Sequence, residues 1–205
     1  MDLSEQDRAR ISAAIRASEA RTSGEIICVL AKSSSDHATA FPVLIAAVLA
    51  LALPWILMAA TSLSLQSMLS LQVLAFLVLL LILGLPRVRT ALIPRATRRA
   101  LAHRAAAEQF VIRGIARKKE RTGILIFVSL AERYARIIAD EGIASRVPQL
   151  HWQGAIDALT GHMRQDHIAD GFIAAIDTCG DVLAAHFPST ASDRRSELPD
   201  RIYLI

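Results

Sequence analysis

Arg121–Gly142 reads RTGILIFVSLAERYARIIADEG. The run ILIFVSL is apolar at nearly every position, the pattern of a strand covered on both faces and so central in a sheet. Beyond it, Tyr134, Arg136 and Ile138 alternate with Ala135, Ile137 and Ala139, which predicts a second strand with one wetter face. Only Ala131, Glu132 and Arg133 lie between them, so an antiparallel hairpin is expected.

Working outward, Leu101–Lys119 has a helical pattern with Leu101, Ala105, Val111 and Ile115 as its apolar side. It ends in RKKER, which complements the negative end of a helix dipole. The order helix, glycine, strand also occurs at the N-terminus. Ser4, with Asp7 three residues on, resembles a weak capping box. Ile11, Ala14, Ile15 and Ser18 form one narrow face, and Thr22-Ser23-Gly24 stops the helix, with Gly24 suited to a left-handed turn. The strand-like EIICVL follows, Glu25–Leu30. Two such strands fed by helices suit one sheet with helices packed on it. Toward the C-terminus, Trp152, Ile156, Leu159 and Met163 make one apolar face. Phe172, Ile176, Cys179, Leu183 and Phe187 make another, stopped by Pro188. STASDRRSE reads as a loop and IYLI as a short last strand. The expected class is α/β.

This pattern is interrupted. The 205 residues are 53% hydrophobic with a mean hydropathy of +0.40, too apolar for a purely soluble chain. FPVLIAAVLALALPWILMAA, Phe41–Ala60, and MLSLQVLAFLVLLLILGL, Met68–Leu85, carry no charge over a membrane-spanning length. Pro54 inside the first is tolerated in a membrane helix. The first run begins some forty residues in, after a polar amphipathic segment, which argues against a secretory leader. Only the uncharged Thr61–Ser67 separates the runs, so a transmembrane helical hairpin with both ends on one side is expected. Arg87, Arg89, Arg95, Arg98, Arg99 and Arg104 follow, with no acidic residue from Pro86 until Glu108. The positive-inside rule then puts both termini and the globular domain in the cytoplasm, on a multi-pass protein of the inner (plasma) membrane. No ionisable residue lies between Phe41 and Leu85, so the hairpin reads as an anchor, with Ala46, Ala47 and Ala50 available for helix packing. The expected divisions are 1–40, the first helix and strand; 41–85, the hairpin; 86–188, the remainder of the domain; and 189–205, a tail.

Taken together, TSGEI, the membrane insert, RTGILIFVSLAERYARIIADEGI, a Trp four residues past a Pro, ADGFIAAIDTCGDVLAAHFP and SELPD resemble the membrane-inserted branch of the TPM domain family. That resemblance implies an α/β sandwich, a small sheet flanked by helices, here with the two-helix hairpin inserted after the first strand. Some relatives are described as acid phosphatases or divalent-metal binders, and some act in photosystem repair. Many carry the domain on the lumenal or periplasmic side, whereas the arginines here point to the cytoplasm. The family's NELP-like tail has Ser196 where Asn is usual.

The acidic candidates that the resemblance supplies are Glu25, Glu132, Asp140 and Glu141. Glu25 opens the first strand and Asp140 ends the third. If Glu25, Glu132 and Asp140 converge, they would suit Ca²⁺ or Mg²⁺, which favour oxygen ligands. The bland alternative is that Glu25 and Glu132 are turn residues and Asp140 a cap. His162, Asp166, His167 and Asp170 form H-x3-D-H-x2-D, a spacing that matches no compact zinc site. Cys28 and Cys179 fall on apolar faces and read as core residues. No phosphate loop, nucleophile elbow or zinc-protease motif occurs. The arginines after the hairpin serve as a topology signal. The lipid bilayer is the expected partner, with anionic headgroups near Arg87, Arg89, Arg95, Arg98 and Arg99. The sequence pI of 9.6 does not indicate nucleic acid, because aromatics are 5% and no stacking platform interleaves the charge. Two functions follow: an accessory or interaction domain docking a membrane protein partner, or a weak metal-dependent phosphomonoester hydrolase at the membrane surface.

Overall fold

Two parallel strands, β1 (Glu25–Ala31) and β2 (Gly123–Ser129), are buried along their whole length. They register as Glu25 to Gly123 through Ala31 to Ser129. The computed structural model describes residues 3–34, 40–60, 64–85, 88, 93–115, 121–189 and 199–205. The chain forms two units: Met1–Ser33 with Ala102–Ile205, and Ser34–Leu101.

In the first unit, β3 (Tyr134–Ala139) pairs antiparallel with β2, and β4 (Ile202–Leu204) pairs parallel with β1. The sheet order is β3-β2-β1-β4. The hairpin turns at Arg133, whose φ of 49° is left-handed. Alternation sorts the strands' side chains into two layers. Ile26, Cys28, Leu30, Ile124, Ile126, Val128 and Ile137 face one core, with α1 (Glu5–Glu19), α6 (Gln153–Met163) and α7 (Ile168–His186). Ile27, Val29, Ala31, Leu125 and Phe127 face the other, covered by Ala106 of α4 (Arg95–Ile112) and by Ile115. This is an α/β fold with a mixed sheet flanked by helices.

Several expectations meet their physical cause here. Ser4 caps α1 by accepting the Asp7 N–H at 3.1 Å. Ile11, Ile15 and Ser18 are its buried stripe. Gly24 is not left-handed. Thr22 organises that turn, its hydroxyl donating to the Phe187 carbonyl and accepting the Gly24 N–H. The turn therefore ties the end of α1 to the end of α7. At Gly180 a Cβ would collide with Ser18 Oγ, so α1 and α7 cross where neither has a bulky side chain. All five apolar residues expected to line the last helix, Phe172 to Phe187, are buried. Trp152 fills the same core from a one-turn 3₁₀ helix, Gln149–Trp152, ahead of α6.

The helix before β2 differs from its expected form. It starts at Arg95 and ends at Ile112, where Gly114 takes φ 73° and returns its N–H to Val111 O. Its buried residues are Ala102 and Ala106, while Val111, expected inward, is 64% exposed. Of RKKER, Arg121 alone is described; the rest lies outside the described residues.

The second unit contains α2 (Ala40–Ala60), which runs through Pro54, and α3 (Leu65–Gly84), which packs against it. Ala46 and Ala50, one turn apart, are buried. Among the described residues one helix, α3, is long and apolar enough to cross a membrane, and the apolar stretch described for α2, Val43–Ile56, is shorter. Only 6% of the α3 span is buried.

Candidate functional site

The sheet's topology decides where the acidic residues fall. β1 and β2 run parallel, so Glu25 stands beside Gly123 at their common start. β3 runs back, so its end returns to that place, and the Asp140 N–H donates to Gly123 O at 2.9 Å. Glu25 and Asp140 thus flank Gly123 at one end of the sheet. Glu132 sits in the β2–β3 turn, at the opposite end. A seven-residue strand such as β2 spans about 20 Å, so the three carboxylates do not converge on one ion.

Each has a local role. Asp140 is 2% exposed. Its Oδ1 accepts the Glu141 N–H at 2.7 Å, capping the short helix α5 (Glu141–Ala144), and accepts Arg121 Nε at 2.9 Å. Arg121, at φ 55°, also reaches Glu141. Asp140 Oδ2 is buried and has no hydrogen-bond partner among the described residues. Glu132 accepts hydrogen bonds from the hydroxyls of Ser129 and Ser33, which joins the ends of β1 and β2. Glu25 is buried where its N–H donates to Thr122 O. Thr122 Oγ1 in turn donates to Ser23 O.

A further carboxyl, Glu19, was not among the candidates. β4 covers β1 only from Cys28 to Leu30. The next N–H on that edge, of Ile26, donates to Glu19 Oε1 at 2.8 Å. Burial pushes the Glu19 carboxyl up to about 8, with Asp200 and Glu25 adding like charge while the Ile26 N–H works the other way. Glu19 and Asp200 share a hydrogen bond, so a protonated Glu19 ties α1 to the approach to β4. The available signal was an acid in the last turn of α1, where the helix dipole disfavours one.

In the unfolded chain Glu19 ionises near its ordinary 4.5, while in the fold it keeps its proton to about 8. Between those values the unfolded state binds fewer protons, so stability falls as pH rises through that window and levels off above it. Glu19→Gln retains an acceptor for Ile26 and a donor for Asp200 without the charge. It is expected to flatten this dependence, read as urea midpoints across the window.

A family model described as the TPM domain matches residues 87–182. Over that stretch, a little under half of its length, the chain is similar to the TPM domain family. The NMR structure of the BA42 protein from the psychrophilic bacterium Bizionia argentinensis is similar, with a TM-score of 0.63. The match covers 100% of this chain and 97% of that one at 20% identity, a likeness of fold. A search of curated proteins returned no match.

Other candidate residues have structural partners. Asp170 bonds Arg10 at 2.6 Å, which holds its carboxyl below the usual range, helped by nearby His167 and His162. Among the described residues no group of three or more His, Cys, Asp or Glu is arranged to hold a metal ion. At Asp140 the guanidinium of Arg121 supplies positive charge beside the carboxylate. Cys28 and Cys179 are fully buried, and burial pushes both thiols up, away from the reactive thiolate. Ser196 lies outside the described residues.

Proposed function

We propose that this TPM-like domain is held at the cytoplasmic face of the inner (plasma) membrane by the α2–α3 hairpin, and that it serves there as a non-catalytic docking or accessory module for a membrane protein. The observation that carries the reading is the exposure of α3. It is a 20-residue helix without a charge, and Leu74, Leu77 and Leu81 along it are more than half exposed. In water such a surface would far exceed the apolar patches monomers tolerate, whereas lipid is its natural solvent. Ala46 and Ala50 let α2 approach α3 closely, as small residues do between membrane helices.

The non-catalytic part rests on the acidic residues. Glu132 and Asp140 are engaged in joining strand ends and capping a helix, and Glu132 stands apart from the other two. The competing reading, a metal-dependent phosphomonoester hydrolase, is favoured only by the buried Asp140 Oδ2. Calorimetric titration with Ca²⁺ and Mg²⁺ separates the two: tight binding that disappears in Asp140→Asn would support the hydrolase.

Orientation is tested by cysteine labelling, since the native Cys28 and Cys179 are shielded. In intact cells a membrane-impermeant maleimide is expected to label Ser62→Cys, between the two apolar runs. Glu5→Cys, at an exposed position of α1, is expected to react only after permeabilisation. The reverse pattern would contradict the cytoplasmic placement, and shielding of both would contradict a hairpin that crosses.

A further inference from the structure

Helix α4 carries an arginine stripe that the domain itself does not use. Arg95, Arg98 and Arg99 stand at i, i+3 and i+4, so they share one side of the helix. Further along, that stripe becomes Ala102 and Ala106, which are buried. Arg95 and Arg99 are exposed, and Arg98 is half-buried with its Nε shielded and without a hydrogen-bond partner among the described residues. No carboxylate pairs with any of the three among the described residues. The next arginine on the helix, Arg104, has a partner in Glu108 at 3.2 Å. Like charges one turn apart oppose helix formation, so the cluster is held against its own repulsion. A topology signal requires only that arginines follow the apolar run, not that they gather on one helical side. These first turns of α4 also belong to the same compact unit as α2 and α3. Arg87 and Arg89 lie outside the described residues.

We infer that Arg95, Arg98 and Arg99 form a docking surface for the phosphate of anionic lipid headgroups, at the leaflet where the hairpin emerges. The inference rests on the membrane reading above. Guanidinium suits this ligand because its fork of N–H donors matches phosphate oxygens, and because at the bilayer surface each basic residue adds attraction that falls off within a Debye length. The negative charge of the leaflet removes the repulsion within the stripe.

The test uses the full chain reconstituted in phosphatidylcholine vesicles, with spin-labelled phosphatidylglycerol or spin-labelled phosphatidylcholine as the probe. Only protein that floats with the vesicles is read. A preference for phosphatidylglycerol on the order of tenfold is expected at low salt, collapsing in high salt. It should be lost in Arg95→Gln/Arg98→Gln/Arg99→Gln. Equal association of the two lipids, or a preference that salt and the variant leave intact, overturns the inference while the anchor stands. Suppression of the preference by inorganic phosphate, to the extent that matched chloride does not reproduce, also overturns it by pointing to a free-phosphate site. Recovery of the chain in the lipid-free fraction overturns the anchor, and this surface with it.

Discussion

Leu74→Arg/Leu77→Arg is expected to move the chain out of the membrane fraction. Both residues lie mid-helix in α3 and are exposed. Each arginine at the centre of a span costs about 2.5–3.5 kcal/mol on insertion scales, so the pair costs about 5–7 kcal/mol. The α3 sequence contains 13 Leu, Ile, Val and Phe residues, which at ~0.3–0.6 kcal/mol each contribute ~4–8 kcal/mol. The two charges therefore cancel most of what inserts the helix. Leu74→Ala/Leu77→Ala removes side-chain volume without charge and is expected to leave fractionation unchanged. If the arginine variant remains as firmly in the membrane as the parent, α3 is not the element that holds it there.

Phe127→Ala is expected to destabilise the domain by about 3–5 kcal/mol, out of the about 5–15 kcal/mol that a domain of this kind has. Phe127 is fully buried at the middle of β2, between Val29 and Arg136 on the neighbouring strands. The layer it occupies is thin. α4 covers it with the small Ala106 and the half-buried Ala105, with Ile115 beyond them and Phe110, Tyr134, Ile138 and Tyr203 packed at its margin. Close packing limits how far these neighbours can move into the space of a lost phenyl ring, so a cavity remains. Urea unfolding followed by far-UV circular dichroism reads the change. Val111→Ser, on the exposed side of the same helix, is the control and should stay within about 0.5 kcal/mol of the parent. A loss below about 1 kcal/mol at Phe127 would mean that α4 does not seal that face.

Where the residues contrast sharply, the fold was legible. The period of Phe172, Ile176, Cys179, Leu183 and Phe187 named the buried stripe of α7 because large apolar residues alternate there with Asp and Ala. The unbroken ILIFVSL likewise marked a strand with neighbours on both sides, and β1 and β3 supply them. Around α4, Ala105 and Ile115 pack inward as expected, whereas Val111 was misplaced and the buried Ala102 and Ala106 were missed. Hydropathy gave Val111 more weight than Ala102 or Ala106, yet a close helix-to-sheet approach selects the small side chain. The span of α2 was harder still, since its described apolar stretch is the shorter Val43–Ile56.

The acidic residues show a different limit. Their positions at strand ends were visible, but which ends coincide depends on strand direction. The parallel β1–β2 pair and the antiparallel return of β3 bring Asp140 to Glu25 and carry Glu132 away. The hairpin alone already implied the second half of that result, because a turn residue lies opposite the residues at the strands' far ends. Glu19 escaped notice because its environment is made by distant parts of the chain: the uncovered Ile26 N–H and Asp200 beside β4.

Whether the full chain is an integral membrane protein is read by carbonate extraction. Membranes from cells expressing it should be washed with alkaline carbonate, which strips proteins bound only through charge, and then separated from the supernatant. The chain is expected to stay in the pellet and to leave it only with detergent. Recovery of the folded chain in the carbonate supernatant would contradict integral insertion, because a protein held by its arginines alone would leave in that wash.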